Sequence, residues 1–460
     1  MIDEATHIEA RPAGTPTNTV LLVTDNPDRA SEIKIHLERL NFLITDCIFD
    51  GLALRGAPKT APTIILLALT DYVEKAPTIV AGLKKHYGDR EIPVLGTLSR
   101  KADIDTSCFE SVIYPPAHAS QVATRVDSLV RLSGMEQEIM RRIATLNDDF
   151  AIEYTLEEDA LSRPFKILFV GKPTPEFMVV INALQEKNVD VVAAFTTFSA
   201  FDYLYETQFN AVVMNALDDV ETPLTISTTM RKNAKLYHVP TLLLIDSNTF
   251  DKPERAFQKG ARDLIDANAD LEEISGRILE LANYHRIHSQ LKREFGLIGG
   301  DACIDAPSGV FNDKFFYHHL RRICKELGPQ GLPITLLAIK VWPNASFAVT
   351  PEDVSNACAQ VGSMIKNLVR MQDITARIED DVFLIAFPHE TEASIAPVIE
   401  RISAIVDCAA FSTTVKDQGP LTVELVFSAV QHQEDENSDF LVGRALKNLQ
   451  NGTVSNLKAS

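Results

Sequence analysis

Residues 373–388 read Asp-Ile-Thr-Ala-Arg-Ile-Glu-Asp-Asp-Val-Phe-Leu-Ile-Ala-Phe-Pro, and this stretch decides the fold of the C-terminal third of the chain. Two mostly apolar arms flank the acidic run 379–381, which predicts a β-hairpin with an acidic turn. Arg370-Met-Gln-Asp373 precedes the hairpin and places a guanidinium and a carboxylate three positions apart. By itself that spacing is also explained by a solvated ion pair. Its meaning therefore depends on its place beside the hairpin.

Composition and charge limit the class of protein. The 460 residues suffice for about three domains of roughly 150 residues each, and a hydrophobic share of 45% permits buried cores. The formal net charge of -19 argues against nucleic acid as a partner, because binding its backbone depends on clustered Lys and Arg. The 6 cysteines have no close spacing, so neither a disulfide framework nor a metal site is expected. No apolar run reaches the roughly 18 residues that cross a bilayer, so we expect a cytoplasmic protein without direct membrane insertion.

Clusters of Ile, Leu and Val of strand length alternate twice with amphipathic stretches before residue 290, which predicts an α/β protein with two doubly wound parallel sheets. The apolar residues from Asp270 to Phe295 recur every three or four positions. This periodicity predicts one long helix that joins the second unit to the third and is suited to pairing with its copy in a homodimer. The predicted divisions are a flexible N-terminal tail (1–17), a first unit (18–145), a linker (146–163), a second unit with the long helix (164–290), a second linker (291–304) and a third unit (305–454).

The hairpin resembles the signature turn of GGDEF diguanylate cyclases, which join two GTP molecules into cyclic di-GMP. In that family the turn reads Gly-Gly-Asp/Glu-Glu-Phe, and Glu379 and Asp380 stand here in place of the two glycines. Those glycines let the backbone approach the nucleotide, whereas two carboxylates add bulk and repel phosphate. The stretch 305–312 resembles the family's entry motif, Asp-x-Leu-Thr-Gly-Leu-x-Asn. The resemblance implies that the third unit is a GGDEF, nucleotidyl-cyclase-like α/β domain.

The same resemblance implies a degenerate active site. The Asp that binds Mg²⁺ at the end of the first strand is replaced by Lys340, a cation where a cation must bind. Asp381 preserves one metal carboxylate, but Val382 replaces the next acid, so the Mg²⁺ clamp cannot assemble and no cyclase activity is expected. The degenerate set comprises Lys340, Ala348, Ser355, Glu379, Asp380, Asp381, Val382 and Phe383, of which Ala348 and Ser355 fall at the guanine-reading positions.

Arg370, Asp373 and Arg401 match the family's product-inhibition site, where an Arg-x-x-Asp and a second Arg bind an intercalated cyclic di-GMP dimer. The chemistry needs these residue types: a guanidinium offers two planar donors to guanine O6 and N7, and a carboxylate accepts from the N1 and N2 hydrogens. The resemblance therefore implies cyclic di-GMP as the ligand, with no cofactor.

The two earlier units resemble CheY-like response-regulator receiver domains, and the order receiver, receiver, GGDEF resembles PleD-type response regulators. Receivers take up a phosphoryl group on an Asp at the end of the third strand, beside Mg²⁺. That position holds Ala68 in the first unit and Asn215 in the second. Alanine has no acceptor atom and asparagine lacks an anionic oxygen, so both units are predicted to serve dimerisation and docking. Unrelated flavodoxin-like domains are the alternative.

Together these resemblances imply a catalytically inactive GGDEF protein that acts in signal transduction as a cyclic di-GMP effector. They further imply an adaptor at a cell pole, which recruits partners and promotes ClpXP-type proteolysis of a cell-cycle transcription regulator. The residues themselves support only ligand binding and protein-protein surfaces. Two alternatives remain: a residual diguanylate cyclase or GTP-sensing regulator, resting on Asp381 and Asn312, and a scaffold that binds no nucleotide.

Overall fold

The computed structural model of the chain describes residues 18–88, 91–115, 117–156, 163–250, 253–344, 349–414 and 419–450. Three sheets organise these residues, one in each of the predicted units. The predicted tail 1–17 and the guanine-reading position Ala348 lie outside the described residues.

The first unit is built on a six-stranded sheet in the order β3-β2-β1-β4-β5-β6, parallel except for the β2/β3 pair. Without the edge strand β3, the strands follow the order 2-1-3-4-5 of flavodoxin-like doubly wound sheets. Every residue of β4 is buried, as expected for a central parallel strand covered on both faces. Its elements are β1 (Thr19–Thr24), α1 (Pro27–Arg39), β2 (Leu43–Phe49), β3 (Leu54–Arg55), β4 (Ile64–Leu69), α2 (Ala76–His86), β5 (Val94–Leu98), β6 (Ser111–Ile113) and α3 (Ala119–Phe150).

The second unit repeats the same parallel arrangement, with the strand order β11-β10-β9-β7-β8. Read along the chain, this is again 2-1-3-4-5, in agreement with the predicted doubly wound sheet. Its elements are β7 (Lys166–Val170), α4 (Pro175–Glu186), β8 (Asp190–Ala194), α5 (Thr197–Glu206), β9 (Ala211–Asn215), α6 (Glu221–Lys232), β10 (Thr241–Ile245), α7 (Pro253–Gln258), β11 (Asp263–Asp266) and α8 (Leu271–Leu297).

The third unit has a mixed sheet in the order β12-β14-β15-β13-β16, antiparallel except for the β12/β14 pair. The predicted hairpin is confirmed: it consists of β14 and β15, which pair from Ile374 with Ala386 to Glu379 with Val382. Its elements are α9 (Gly300–Cys303), β12 (Phe311–Asn312), α10 (Asp313–Leu327), β13 (Ile334–Asn344), α11 (Pro351–Leu368), β14 (Ile374–Glu379), β15 (Val382–Pro388), α12 (Glu392–Asp407), β16 (Thr422–Gln431) and α13 (Ser438–Gln450).

Two long helices join the units. The first half of α3 contributes to the core of the first unit, and the second half packs into a core shared with the third unit. Likewise α8 begins in the core of the second unit and ends in the shared core, and the Tyr284 hydroxyl donates a hydrogen bond to the Ser128 carbonyl of α3 at 3.0 Å. The apolar face of the predicted joining helix is therefore packed within the chain, and both ranges predicted as linkers contain helix ends. None of the helices in the described ranges combines the length and apolar composition needed to cross a membrane.

Candidate functional site

The acidic turn 379–381 between β14 and β15 is held by backbone contacts. Arg377 donates two hydrogen bonds to the Asp380 carbonyl, from Nε at 3.1 Å and from Nη2 at 2.6 Å. The Asp381 carbonyl accepts from the backbone N–H of Val341 at 2.9 Å. None of the three acidic residues has a positive φ, so the turn forms with side chains where the cyclase signature has glycines.

Lys340 stands at the position that the resemblance assigns to the Mg²⁺-binding Asp of the family. It faces Val382 across the β13/β15 pair, and its Nζ lies 3.3 Å from Oδ2 of Asp381. The ammonium also lies 4.9 Å from the ring centroid of Trp342. Asp381, the carboxylate predicted to remain of the metal site, is thus paired with a lysine, and the next residue, Val382, is buried. Among the residues described by the structure, no group of three or more His, Cys, Asp or Glu side chains is placed to hold a metal ion.

The remaining residues of the predicted degenerate site are structural or solvent-facing. Phe383 is fully buried in the core between the sheet and the helices α11 and α12. A Cβ placed on Gly362 would lie 2.6 Å from a carbon of that ring, so the glycine permits close packing of α11 on the hairpin. Ser355 is exposed on α11. Asn312 caps α10 by accepting from the Phe315 N–H at 3.0 Å, which is a structural role for a residue on which the residual-cyclase alternative rests.

The three predicted ligand-binding residues meet at the C-terminal end of α11. The Arg370 N–H donates to Asp373 Oδ2 at 2.9 Å, and the Asp373 N–H donates to the Arg370 carbonyl at 3.0 Å. From α12, Arg401 Nη2 donates to the Leu368 carbonyl at 2.6 Å. Arg370 and Asp373 therefore bond each other within the segment 368–373, and Arg401 reaches the first residue of that segment, where it satisfies a helix-terminal carbonyl that lacks an intrahelical partner.

Asp373 is the most buried of the three, with 6% of its surface exposed. Its Oδ1 has no hydrogen-bond partner within the described part of the chain. Burial raises the pKa of Asp373 to about 7, although the nearby Arg370 opposes this. The carboxyl group thus titrates near neutral pH, and a hydrogen-bond donor that reached Oδ1 would favour the ionised form.

Arg370 has a partner that sequence analysis did not reveal. Its guanidinium forms an ion pair with Glu390, which lies two residues after the end of β15. The Arg370 side chain is 44% exposed, and that of Glu390 is 8% exposed. Both residues line a cleft of about 370 Å³ between the first and third units, and Gln137 and Arg141 of α3 also line it. No local pattern distinguishes Glu390 from an ordinary surface acid, so only the three-dimensional structure identifies the pair.

In the first unit, the predicted phospho-acceptor position Ala68 lies at the carboxyl end of β4. The neighbouring acid, Asp25, accepts hydrogen bonds from the backbone N–H groups of Thr70, Asp71 and Tyr72 at 2.8 to 3.0 Å. Asp25 therefore fixes the loop after β4.

In the second unit, Asn215 ends β9 at the equivalent place. Its Nδ2 donates to the Lys172 carbonyl at 2.8 Å and to Thr174 Oγ1 at 3.3 Å, and its Oδ1 accepts from the Leu217 N–H at 3.1 Å. The amide uses both its donor and its acceptor to join adjacent loops, which a carboxylate could not do.

Comparison with protein families identifies the third unit. The model of the diguanylate cyclase GGDEF domain matches residues 302–453, close to the predicted range 305–454. Residues 302–453 are a GGDEF domain. The domain predicted from the hairpin is thereby confirmed.

Solved structures similar to the chain include further GGDEF proteins. The GGDEF domain of DgcB from Caulobacter crescentus, solved with c-di-GMP, is 20% identical and matches over 33% of this chain and 88% of that chain, with a TM-score of 0.29. The FimX GGDEF domain from Pseudomonas aeruginosa is 14% identical over 33% and 93% of the two chains, with a TM-score of 0.30. The diguanylate cyclase SiaD from Pseudomonas aeruginosa, solved with its activator SiaC, is 18% identical over 40% and 71%, with a TM-score of 0.30. Comparison with curated proteins gave no match.

Within the GGDEF domain, the two predicted sites lie at opposite ends of one strand. Asp373 immediately precedes β14, and Glu379 is its last residue. Six residues of extended strand span roughly 20 Å at about 3.3 Å per residue. A ligand at the Arg-x-x-Asp turn would therefore occupy a place separate from the acidic turn 379–381.

Proposed function

We propose that this chain is a cyclic di-GMP effector built on a catalytically inactive GGDEF domain, and that it resembles PopA, a degenerate relative of PleD-type response regulators. The observation that supports this function best is the contrast between the two ends of β14. At one end Arg370 and Asp373 are hydrogen-bonded to each other, and Arg401 donates to the nearby Leu368 carbonyl. At the other end Lys340 is paired with Asp381, the carboxylate that remains of the metal site.

The proposed ligand matches the hydrogen-bonding capacity of the Arg-x-x-Asp turn. The Oδ1 of Asp373 is buried and has no hydrogen-bond partner among the described residues, and the N1 and N2 hydrogens of guanine are donors of the kind it lacks. Arg370 supplies the planar donor pair for guanine O6 and N7, and guanidinium planes also stack on purines. On binding, the Arg370 guanidinium leaves Glu390 and bonds the guanine base, and the Arg401 guanidinium leaves the Leu368 carbonyl and bonds the ligand. The ligand in this proposal is an intercalated cyclic di-GMP dimer.

The proposed inactivity follows from charge and geometry at the acidic turn. Mg²⁺ needs closely placed oxygen ligands in near-octahedral arrangement. Of the positions that the resemblance assigns to metal ligands, Asp381 keeps its acid, its carboxylate lies 3.3 Å from the Lys340 ammonium, and Val382 offers no oxygen. A cation brought to this place meets a cation already present.

The two parallel-sheet units are proposed to be receivers that are not phosphorylated, because Ala68 and Asn215 stand at the acceptor positions. They would provide dimerisation and docking surfaces in the cytoplasm. By resemblance to PopA, the ligand-bound protein is proposed to act as an adaptor at a cell pole, where it recruits partners and promotes ClpXP-type proteolysis of a cell-cycle transcription regulator.

Calorimetric titration of the purified chain with cyclic di-GMP tests the proposed function. At about 1 to 3 kcal/mol for a bidentate guanine contact, Arg370→Ala should weaken binding roughly ten- to a hundredfold. Lys366→Ala is the matched control, since this exposed cation lies one helical turn away and donates to the Gly309 carbonyl instead. Absence of heat with the wild type would favour the nucleotide-free scaffold. Formation of cyclic di-GMP from GTP and Mg²⁺ would favour the residual cyclase.

A further inference from the structure

The helix α3 of the first unit brings a buried arginine to the Arg-x-x-Asp turn. Arg142 is 3% exposed, and its Nη2 donates to the Met371 carbonyl at 2.9 Å and to the Asp373 carbonyl at 3.3 Å. These carbonyls belong to the turn that also orients Arg370. A residue outside the GGDEF domain therefore holds two peptide groups of the proposed ligand site.

Arg142 is fixed from its other sides as well. Its Nε donates to Glu138 Oε1 at 2.7 Å, one turn earlier on α3. The guanidinium carbon lies 4.7 Å from the ring centroid of Phe295 in α8 and 5.3 Å from that of Phe311 in β12. Such cation-π contacts in a desolvated place restrict the plane of the guanidinium. Arg142 thus joins both long helices to the GGDEF domain.

The charge of Arg142 is balanced by a buried network. Glu138 is 1% exposed, accepts from Arg141 at 2.6 Å and lies 3.0 Å from Nε2 of the buried His319 in α10. Arg141 in turn pairs through two nitrogens with Glu326 of α10, each at 2.9 Å. Although burial opposes it, His319 and Arg142 hold the pKa of Glu138 below its usual range. Two arginines and two carboxylates therefore neutralise one another across the joint between α3 and α10.

We infer that Arg142 is a positioning residue for the proposed ligand site, so that the first unit sets the affinity of the GGDEF domain for cyclic di-GMP. This inference rests on the proposed function. The Met371 and Asp373 carbonyls define the peptide planes of the turn, and these planes direct the side chains of Arg370 and Asp373. Ligand contacts require side chains held to within about 0.5 Å. By linkage, ligand binding then strengthens the docking of α3 by the same factor by which docking strengthens ligand binding.

Titration of the full chain with cyclic di-GMP tests the inference through Arg142→Gln and a matched control. Arg322→Gln is the control, because Arg322 also joins α10 to α3, through Thr145 at 3.2 Å, Asp148 at 2.9 Å and Asp149 at 3.2 Å, whereas the carbonyls of Met371 and Asp373 accept from Arg142. We expect Arg142→Gln to weaken binding roughly tenfold and Arg322→Gln to change it by less than about twofold. Arg142→Lys should be intermediate, since an ammonium reaches a carbonyl but lacks the planar set of donors.

Amide hydrogen exchange separates positioning from a merely structural role. The Asp373 N–H donates to the Arg370 carbonyl, and its exchange should accelerate in Arg142→Gln and Arg142→Lys but not in Arg322→Gln. If Arg142→Gln does not fold, the comparison of Arg142→Lys with Arg322→Gln carries the test.

The outcomes distinguish the two proposals. A wild type that binds, with unchanged affinity in both Arg142 variants, overturns the inference and leaves the proposed function standing. Equal weakening by the Arg142 and Arg322 variants also overturns it, because the general stiffness of the joint would then explain the effect. Absence of binding by the wild type overturns the proposed function itself.

Discussion

Replacing Glu390 by glutamine should make cyclic di-GMP bind more tightly. In the structure the Glu390 carboxylate pairs with the Arg370 guanidinium, and in the proposed complex the guanine base takes the place of Glu390 on that guanidinium. Glutamine keeps the size and one acceptor oxygen of glutamate but removes the charge. The free state therefore loses more stabilisation than the bound state, and the ligand meets less competition.

The exposure of the pair sets the magnitude. Arg370 stays charged in the variant, so the loss is the Coulomb attraction between two unit charges, which is about 4 kcal/mol at about 4 Å for an effective dielectric constant of about 20. Because the Arg370 side chain is 44% exposed, solvent screens the pair and the loss falls to roughly 0.5 to 1 kcal/mol. This corresponds to binding that is about two- to fivefold tighter. Glu390 also raises the pKa of Asp373, so its neutralisation promotes the ionised carboxylate that the proposed guanine contact requires.

The assay is calorimetric titration at one ionic strength and pH, with Glu392→Gln as the control. Glu392 is exposed and accepts from the backbone N–H of Gln431 at 2.7 Å, so its variant changes net charge equally without releasing Arg370. Weaker binding by Glu390→Gln would refute the reasoning, because it would show that Glu390 stays on Arg370 in the complex and orients it. Equal tightening by both variants would reduce the effect to net charge.

Three further predictions concern protonation and packing. Burial raises the pKa of Asp373 to about 7, above its ordinary value of about 3.9, so the contribution of Asp373 to folding stability falls as pH rises between about 4 and 7. Ligand affinity should instead rise through pH 7, because the ionised carboxylate accepts the hydrogen bonds. Calorimetric titration between pH 6 and 8 checks this, and a wild-type affinity that is as independent of pH as that expected of Asp373→Asn would contradict it. Glu138→Gln should lower the free energy of unfolding by about 3 kcal/mol, since it leaves buried arginine charge uncompensated. Glu326→Gln, at a side chain that is 46% exposed, should lower it by less than about 1 kcal/mol. Urea denaturation measures both changes, and equal losses of stability would argue against the buried network. The pKa of Glu138 is held low, so its stabilisation should also disappear as pH falls below the usual carboxyl range. Gly362→Ala places a Cβ 2.6 Å from the buried Phe383 ring and should lower the free energy of unfolding by about 1 to 3 kcal/mol. Gly443→Ala, in a helix with open space around the residue, should raise it by about 0.5 to 1 kcal/mol. Thermal denaturation measures both, and an unchanged melting temperature for the Gly362 variant would contradict the close packing.

Sequence patterns were sufficient where a continuous apolar run or a helical periodicity marks the buried surface of one element. The apolar run of β4 and the two arms of the hairpin 374–388 predicted strands, and strands are found there. The spacing from Asp270 to Phe295 predicted a helix, found as Leu271–Leu297. The end of the first unit was not predictable in this way, because α3 continues to Phe150 against apolar side chains of the GGDEF domain.

The surroundings of the candidate site depend on contacts between distant parts of the chain. Arg142 meets the Met371 carbonyl from 229 positions away, and neither residue stands in a recognisable motif. The pairing of Arg370 with Glu390 likewise arises from the return of β15 beside the end of α11. The residue types at 370, 373 and 401 could be matched from the sequence, whereas the burial of Asp373 is a property of the assembled units.

The shared core bears on how such a protein can evolve. Five side chains from the second half of α3 fill one wall of the GGDEF interior: Leu132, Met135, Ile139, Ile143 and Leu146. Recombination that joined residues 302–453 to an unrelated N-terminal domain would remove these five side chains and expose a hydrophobic surface to solvent. This GGDEF domain therefore cannot be transferred to another protein without losing part of its core. Substitutions in α3 that change the packing of this core should be accompanied by compensating substitutions within the domain.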